Sequence, residues 1–265
     1  MSTDPTAVRA PTVKENPGFD VLYWVGCAGS YDRRAQRVTR AVVKLLHAAG
    51  VNFAILGTEE KCTGDSARRL GEEFLFQELA AANIATLTRH GVRRIVAHCP
   101  HCVNAFLHDY PQFGGKYEVW HHTQFIEQLL LEQRLRLPSS VAASLGAVTY
   151  HDPCYLARVN GIHAAPRSVL REALADGQAG ELREMARRET KTSCCGAGGG
   201  RIWMEEDPKQ RVSTERTKEA LATGAKTVAV ACPFCLTMVT DGVAACGAEA
   251  QVRDVAEILA ERLGL

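Results

Sequence analysis

Five cysteines in the C-terminal half of the chain have the residue type and spacing of a metal centre: Cys154, Cys194, Cys195, Cys232 and Cys235. A structural zinc ion takes four ligands, so a fifth thiol is surplus to a zinc site. Iron–sulfur clusters are held by cysteine thiolates, which favours a cluster here. Two alternatives stay open. One is structural zinc, and the other is a thioredoxin-like dithiol at Cys232–Cys235, which leaves three thiols without a role.

A glycine-rich run directly after the cysteine doublet suits an anionic cluster. Residues 196–200 read Gly-Ala-Gly-Gly-Gly. Glycine lets the backbone approach a ligand closely and aim its N–H groups at negative charge. We therefore expect this run to lie against the sulfur atoms of the site.

The N-terminal half repeats the design with four cysteines: Cys27, Cys62, Cys99 and Cys102. A shift of 133 residues places the last three on Cys195, Cys232 and Cys235, and a shift of 127 places the first on Cys154. Both sets end in Cys-Pro-x-Cys after similar flanking residues. Matched spacing and matched flanks indicate an internal repeat.

The first set lacks one thiol of the pattern. Lys61 stands where the doublet has its first cysteine, and Thr63 replaces the glycine that follows the doublet. Four thiolates suit an ordinary [4Fe–4S] cluster or a closed Cys₄ zinc site, and we lean towards the cluster. Cys246 has no counterpart in the repeat, and we interpret it as an inert thiol.

Histidines adjoin both sets. His151 lies three residues before Cys154 and is a candidate catalytic residue. A histidine there would hydrogen-bond a cluster sulfur or deliver a proton. His98 and His101, which flank Cys99, are candidates for the same roles.

Strands and helices alternate along the chain, and each repeated cysteine follows a strand candidate. The strand candidates cover residues 21–25, 51–56, 95–97 and 117–120, then 147–150, 182–187, 227–231 and a last strand near 251. This alternation predicts an α/β fold with two pseudo-symmetric, Rossmann-like halves built on parallel sheets. Ligands of such sheets lie beyond the carboxyl ends of the strands, so we expect a metal centre there in each half.

The domain organisation follows from the repeat. We expect a flexible N-terminal segment at 1–20, a first half with the four-cysteine site at 21–137, and a second half with the five-cysteine site at 145–265. The segment 136–144, which contains Pro138 and two serines, is the predicted boundary.

A long helix is also predicted over 205–222.

Composition excludes several classes of function. The 265 residues carry 31 basic and 30 acidic side chains, a net charge of +1, which gives no field to attract nucleic acid. No apolar run reaches the length of a membrane-spanning helix, and the first twenty residues lack the apolar centre of a signal peptide. We expect a cytoplasmic protein, with any membrane association made through a partner subunit.

The five-cysteine pattern resembles a known family. Its doublet Cys194-Cys195-Gly196 and its Cys232-Pro233-Phe234-Cys235 motif are similar to the cysteine-rich CCG domain found in heterodisulfide reductases and related iron–sulfur oxidoreductases. The stretches 25–30 and 151–158 are most similar to quinone-linked members, such as electron-transfer-flavoprotein:quinone oxidoreductases. The resemblance covers nearly the whole chain from Val21 onward.

The resemblance implies a function and a cofactor. It implies a non-cubane [4Fe–4S] cluster at the second set and an electron-transfer subunit of a heterodisulfide reductase-like or quinone-linked complex. The chain lacks a ferredoxin cysteine run and a dinucleotide-binding glycine motif, so the donor would be a ferredoxin-like or flavoprotein subunit. The acceptor would be a quinone or a disulfide. A disulfide-reducing catalytic subunit and a non-catalytic structural zinc protein are the alternatives.

Overall fold

The computed structural model describes residues 8–138, 145–175, 180–207 and 210–265. The first half comprises β1 (Val21–Trp24), α1 (Gly26–Tyr31), α2 (Ala35–Ala48), β2 (Phe53–Ala54), α3 (Asp65–Arg69), α4 (Glu73–Arg89), β3 (Arg94–Ala97), α5 (Pro100–Asn104), β4 (Glu118–His121) and α6 (His122–Leu131). The second half comprises β5 (Gly146–Tyr150), α7 (Ala164–Ala173), β6 (Gly180–Arg183), α8 (Val212–Leu221), β7 (Thr227–Val230), α9 (Pro233–Ala245), β8 (Gln251–Asp254) and α10 (Val255–Arg262).

Each half is built on a four-stranded parallel sheet, and the two sheets have the same topology. The strand orders are β2-β1-β3-β4 and β6-β5-β7-β8. Their registers also match, because Leu22 pairs with Ile95 in the first sheet and Thr149 pairs with Val228 in the second. These pairs are related by the same two shifts that relate the cysteines. The predicted α/β class with two similar halves is confirmed.

Some predicted element bounds are wrong. The long helix predicted over 205–222 is α8, which begins only at Val212. Pro208 lies within that range and disfavours a helical conformation in the residue before it. The prediction rested on the spacing of apolar residues and did not take this proline into account. The strand predicted over 51–56 is reduced to the two residues of β2, and the one predicted over 182–187 is β6 at Gly180–Arg183.

The predicted domain bounds fall partly outside the described residues. Residues 1–7 of the N-terminal segment and 139–144 of the boundary segment are in this group. Within the described part of the N-terminal segment, Thr12 forms an isolated parallel bridge with Ile55. The bounds therefore stay predictions.

One apolar core cluster spans the two halves, and a second lies within the first half. Helix α2 packs on α10, and α6 packs on α7. Polar contacts cross the same boundary: the Arg34 guanidinium donates to both Glu257 oxygens at 2.6 and 2.7 Å, and His122 Nε2 lies 2.9 Å from Asp254 Oδ1. This shared core fixes the carboxyl edges of the two sheets relative to each other.

Close packing of α8 on α9 gives a first testable prediction. A Cβ atom on Gly242 would lie 2.1 Å from Thr217 Oγ1 and 3.0 Å from the Ser213 carbonyl oxygen. We expect Gly242→Ala to lower the free energy of unfolding by about 1–3 kcal/mol, because the helices must separate. Urea denaturation measures the change. Gly18→Ala is the control, since nothing lies within 4 Å of a Cβ there, and equal midpoints for the two variants would contradict the prediction.

Candidate functional site

The five cysteines of the second set lie at the carboxyl edge of the second sheet. Cys154 follows β5 and begins a π-helical turn, and Cys232 follows β7 and caps α9, whose first turn contains Cys235. The doublet lies in irregular backbone after β6. Because β6, β5 and β7 are neighbours, the residues that follow them meet at one edge.

Sulfur–sulfur contacts connect all five thiols of this set. The Sγ atoms of Cys154 and Cys194 are 3.9 Å apart, and those of Cys195 and Cys235 are 3.3 Å apart. Side-chain contacts also join Cys194 to Cys195 and Cys232 to Cys235. Four of the five are buried, and Cys194 is half-buried. The predicted convergence of this set is therefore seen in the structure, while its role as a ligand set is a proposal.

The glycine-rich run lies against these sulfur atoms. The Gly196 N–H donates to Cys194 Sγ at 3.2 Å, and the Gly198 backbone also contacts this sulfur. A Cβ on Gly198 would point at the Sγ atoms of Cys154 and Cys194, 3.7 and 4.0 Å away. Glycine at 198 thus leaves free the space in front of the thiols.

The local contacts favour the thiolate form of Cys194. Contacts from the Cys154 and Cys195 thiols, and then the N–H groups of Gly196 and Gly198, lower the pKa of Cys194 well below its usual range. The contact with Cys194 raises the pKa of Cys154 in turn. Thiolates are the form of cysteine that binds metals.

The four cysteines of the first set line a single cavity at the carboxyl edge of the first sheet. The Cys27 thiol and then the Gly64 N–H, 3.4 Å from Cys62 Sγ, lower the pKa of Cys62 to about 6. Thr63 Oγ1 donates to Cys102 Sγ at 3.7 Å, so the residue that replaces the glycine supplies a hydroxyl instead. Lys61 is exposed. Cys27 and Cys62 are exposed too, which makes this set the more open of the two.

The two sets adjoin each other across the boundary between the halves. The side chains of Cys99 and Cys232 are in contact. Beside them, the His101 ring lies 4.1 Å from the Tyr155 ring and 5.2 Å from the Phe234 ring, between ring centroids. The sequence repeat predicts two centres but does not predict that they touch. His101 and Phe234 are the variable residues of the two Cys-Pro-x-Cys motifs. Both are aromatic, and this shared feature is the sequence signal for a contact between the two motifs that sequence reasoning missed.

His151 lies beside the second set and is fully buried. One of its ring nitrogens lies within 4.8 Å of the sulfur atoms of Cys195 and Cys235. Its Nδ1 accepts a hydrogen bond of 2.9 Å from Arg216 Nε, a buried residue that sequence reasoning missed. Burial and then the Arg216 charge lower the pKa of His151 to about 3, so the ring is neutral at physiological pH. The catalytic role considered for His151 stays a prediction.

A buried ion pair joins the segments that carry Cys154 and the doublet. Arg167 binds Asp152 through two hydrogen bonds of 2.7 and 2.8 Å, and both side chains are buried. Asp152 also accepts the Glu189 N–H at 2.9 Å, and its carbonyl oxygen accepts from Thr192. The carboxylate therefore holds the residues before Cys154 against those before the doublet.

An open cavity of about 370 Å³ lies next to Cys27. Tyr31, Trp203 and Phe234 contribute aromatic rings to its lining, and the first two are 87% and 68% exposed. Apolar rings at an open cavity next to exposed thiols can receive an apolar or planar group from solution.

The two halves match a known family separately. The cysteine-rich CCG domain matches residues 21–106 and again residues 148–240, more than half of the chain. This chain belongs to the CCG cysteine-rich domain family. The first CCG unit contains the whole four-cysteine set, the second contains the whole five-cysteine set, and Cys246 lies outside both.

Curated relatives of this CCG protein are iron–sulfur proteins and oxidoreductases. It is 45% identical over 257 residues to the Bacillus subtilis protein named "Probable iron-sulfur-binding oxidoreductase FadF", covering 95% of this chain and 36% of FadF. It is 43% identical over 250 residues to the EtfAB:quinone oxidoreductase of Syntrophomonas wolfei, covering 91% of this chain and 34% of the relative. It is 34% identical over 261 residues to one polypeptide of the dihydromethanophenazine:CoB–CoM heterodisulfide reductase of Methanosarcina barkeri, covering 96% of this chain and 62% of that polypeptide.

The CCG chain thus spans only about a third of the length of the first two relatives. Across the described ranges of the structure, no helix combines the length and apolarity needed to cross a bilayer.

Proposed function

We propose that this chain is an electron-transfer unit of a larger iron–sulfur oxidoreductase. In this proposal the five-cysteine set holds a non-cubane [4Fe–4S] cluster, and the four-cysteine set holds a [4Fe–4S] cluster or a zinc ion. The observation that carries the proposal is that the two sets are neighbours: Pro233 and Phe234, which lie between Cys232 and Cys235, line the same cavity as the four thiols of the first set.

The residues of the second set fit a cluster. Five thiols in contact are more than a tetrahedral zinc ion takes, and Gly198 leaves space in front of two of them. The N–H groups of Gly196 and Gly198 point to a sulfur atom and stabilise negative charge there. An iron–sulfur cluster supplies one-electron oxidation and reduction at a potential set by its ligands, hydrogen bonds and exposure.

The burial of the thiols suggests which set meets a partner. Cys195, Cys232 and Cys235 of the second set are only 1–2% exposed, whereas Cys27 and Cys62 of the first set are exposed. We therefore propose that electrons pass between a partner and the second set through the first. In this proposal the donor is a flavoprotein or ferredoxin-like subunit and the acceptor is a quinone, and the name of one relative, EtfAB:quinone oxidoreductase, supports the quinone. We propose that the chain works in the cytoplasm and meets a membrane through a partner subunit.

A disulfide-cleaving unit is the second candidate function. The open cavity beside Cys27 and the identity to a heterodisulfide reductase polypeptide favour it. Chemically reduced protein mixed with a low-molecular-weight disulfide distinguishes the candidates. A relay unit stays reduced until a quinone-linked partner is added, whereas a disulfide-cleaving unit is reoxidised by the disulfide alone.

Metal analysis tests the proposal directly. We expect protein purified without oxygen to be brown and to contain iron and acid-labile sulfide in equal amounts, roughly four of each per chain for one cluster and eight for two. About one zinc ion together with roughly four irons would assign zinc to the four-cysteine set. A colourless protein with zinc, and without iron or sulfide, would be a structural zinc protein and would overturn the proposal.

A further inference from the structure

Two equivalent strand ends each present a buried nitrogen without a hydrogen-bond partner in the described structure. These atoms are Trp24 Nε1, at the end of β1, and His151 Nε2, directly after β5. The sheet registers make the two residues equivalent, and each lies three residues before a cysteine of its set. An unpaired buried donor is unfavourable, so the same feature at both sites points to an acceptor that the protein chain itself does not provide.

The hydrogen bond at Nδ1 shows which nitrogen of the His151 ring carries the proton. Arg216 Nε donates to Nδ1, and a guanidinium can only donate, so Nδ1 must carry a lone pair. In the neutral ring the proton then lies on Nε2. Arg216 is held in turn by Glu219 Oε2 at 2.7 Å and by the Arg187 carbonyl oxygen at 3.0 Å. Arg216 is therefore the positioning residue that makes His151 an Nε2–H donor.

The ring of His151 adjoins the second set. One of its nitrogens lies within 4.8 Å of the sulfur atoms of Cys195 and Cys235. Nδ1 is already occupied by Arg216, so Nε2 is the nitrogen left to donate to them. A protonated Nε2 has no lone pair for a metal ion. His151 is thus suited to donate to sulfur and unsuited to act as a ligand.

Trp24 presents the corresponding group to the first set. An indole N–H can only donate. A Cβ atom on Gly26 would lie 3.6 Å from Cys102 Sγ and 4.0 Å from Trp24 Nε1, so the indole edge and the sulfur border the same small space. Edge-on packing against Phe106, with ring centroids 4.8 Å apart, holds the indole in place.

We propose that Trp24 and His151 are paired N–H donors, one to the sulfur atoms of each centre, and that each raises the reduction potential of its own centre. A donor to sulfur stabilises the extra negative charge of the reduced state more than the oxidised state. The inference deepens the proposed function and rests on it, because it requires an iron–sulfur centre at the second set.

Redox titration of the full chain, followed by EPR, tests the proposal. His151→Phe removes the donor, and we expect the midpoint potential of the second centre to become more negative while the first centre is unchanged. His151→Gln keeps an amide N–H, and we expect it to restore most of the potential. Thr149→Val is the matched control, because it removes another unpaired buried polar atom two residues before His151, within β5, and should leave both potentials unchanged.

The reciprocal variant tests the pairing. We expect Trp24→Phe to shift only the first centre to a more negative potential if that set holds a cluster. If the set holds zinc, we expect faster loss of zinc to a chelator, because N–H donors stabilise bound thiolates. An unchanged first centre in Trp24→Phe would overturn the pairing.

A measurement on the unmodified chain guards against variants that fail to fold. With ¹⁵N-labelled histidine, electron–nuclear double resonance should show a weak nitrogen coupling to the second centre. A strong coupling would mean direct ligation, and no coupling would mean no hydrogen bond; either result overturns the assignment of His151. If His151→Phe contains iron and sulfide but has an unchanged potential, this inference alone is overturned. If the unmodified chain contains no iron and no sulfide, the proposed function is overturned.

Discussion

Replacement of Cys194 by alanine is expected to abolish the EPR signature of the five-thiol centre, and replacement of Cys195 is expected to do the same. Cys194 contacts the thiols on both sides and accepts N–H groups from the glycine run, and these contacts stabilise its thiolate form. Cys195 lies 3.3 Å from Cys235 and joins the doublet to α9. Loss of either thiol leaves four ligands of the set and an open position at the metal, so the loss of the unusual spectrum should be complete.

Cys246→Ala is the matched control for this prediction. Cys246 lies at the end of α9, outside both CCG units, and we expect its replacement to leave the spectrum and the iron content unchanged. Survival of the same EPR signal in both doublet variants would show that five thiols are not needed. The second set would then be reassigned as an ordinary four-cysteine site.

Arg167→Met is expected to cause the largest loss of stability. It leaves the Asp152 carboxylate buried without its cation, and breaking a buried ion pair in this way lowers the free energy of unfolding by about 3–5 kcal/mol. The double variant Asp152→Asn/Arg167→Met removes both charges and should recover part of the loss. Urea denaturation of the metal-free protein measures both changes without a contribution from the cofactor.

Lys218→Met is the control for the ion pair. Lys218 and Glu215 form an exposed pair, with side chains 60% and 64% exposed, and such pairs contribute about 0–1 kcal/mol. We expect its midpoint to lie close to that of the unmodified chain. An Arg167→Met variant as stable as Lys218→Met would show that Asp152 finds another partner, and the role of the pair in holding the cysteine segments would be wrong.

Much of the fold was predictable because its signals are local. Apolar runs such as 227–230 mark buried parallel strands, and the cysteine that follows each run marks the carboxyl edge of the sheet. The shifts of 127 and 133 residues that relate the two cysteine sets also relate the strand registers, in which Leu22 pairs with Ile95 and Thr149 pairs with Val228. A repeated sequence therefore predicted a repeated sheet.

The contacts between distant residues were not predictable in this way. Arg216 lies on α8, 65 residues after the His151 ring that it contacts, and no local spacing links the two. The contact of His121 was equally unpredictable: its buried Nε2 lies 3.1 Å from the Ala231 carbonyl oxygen in the other half. The start of α8 and the contact of Cys99 with Cys232 likewise depend on how the two halves pack. Tertiary packing decides such pairs, and sequence periodicity describes only single elements.

The most direct test of the central claim isolates the second set. In the double variant Cys27→Ser/Cys62→Ser the first set loses its two exposed thiols, while all five thiols of the second set stay in place. Iron and acid-labile sulfide are then measured in protein purified without oxygen. The account predicts that about four irons and four sulfides per chain remain. Zinc without labile sulfide in this variant would contradict it.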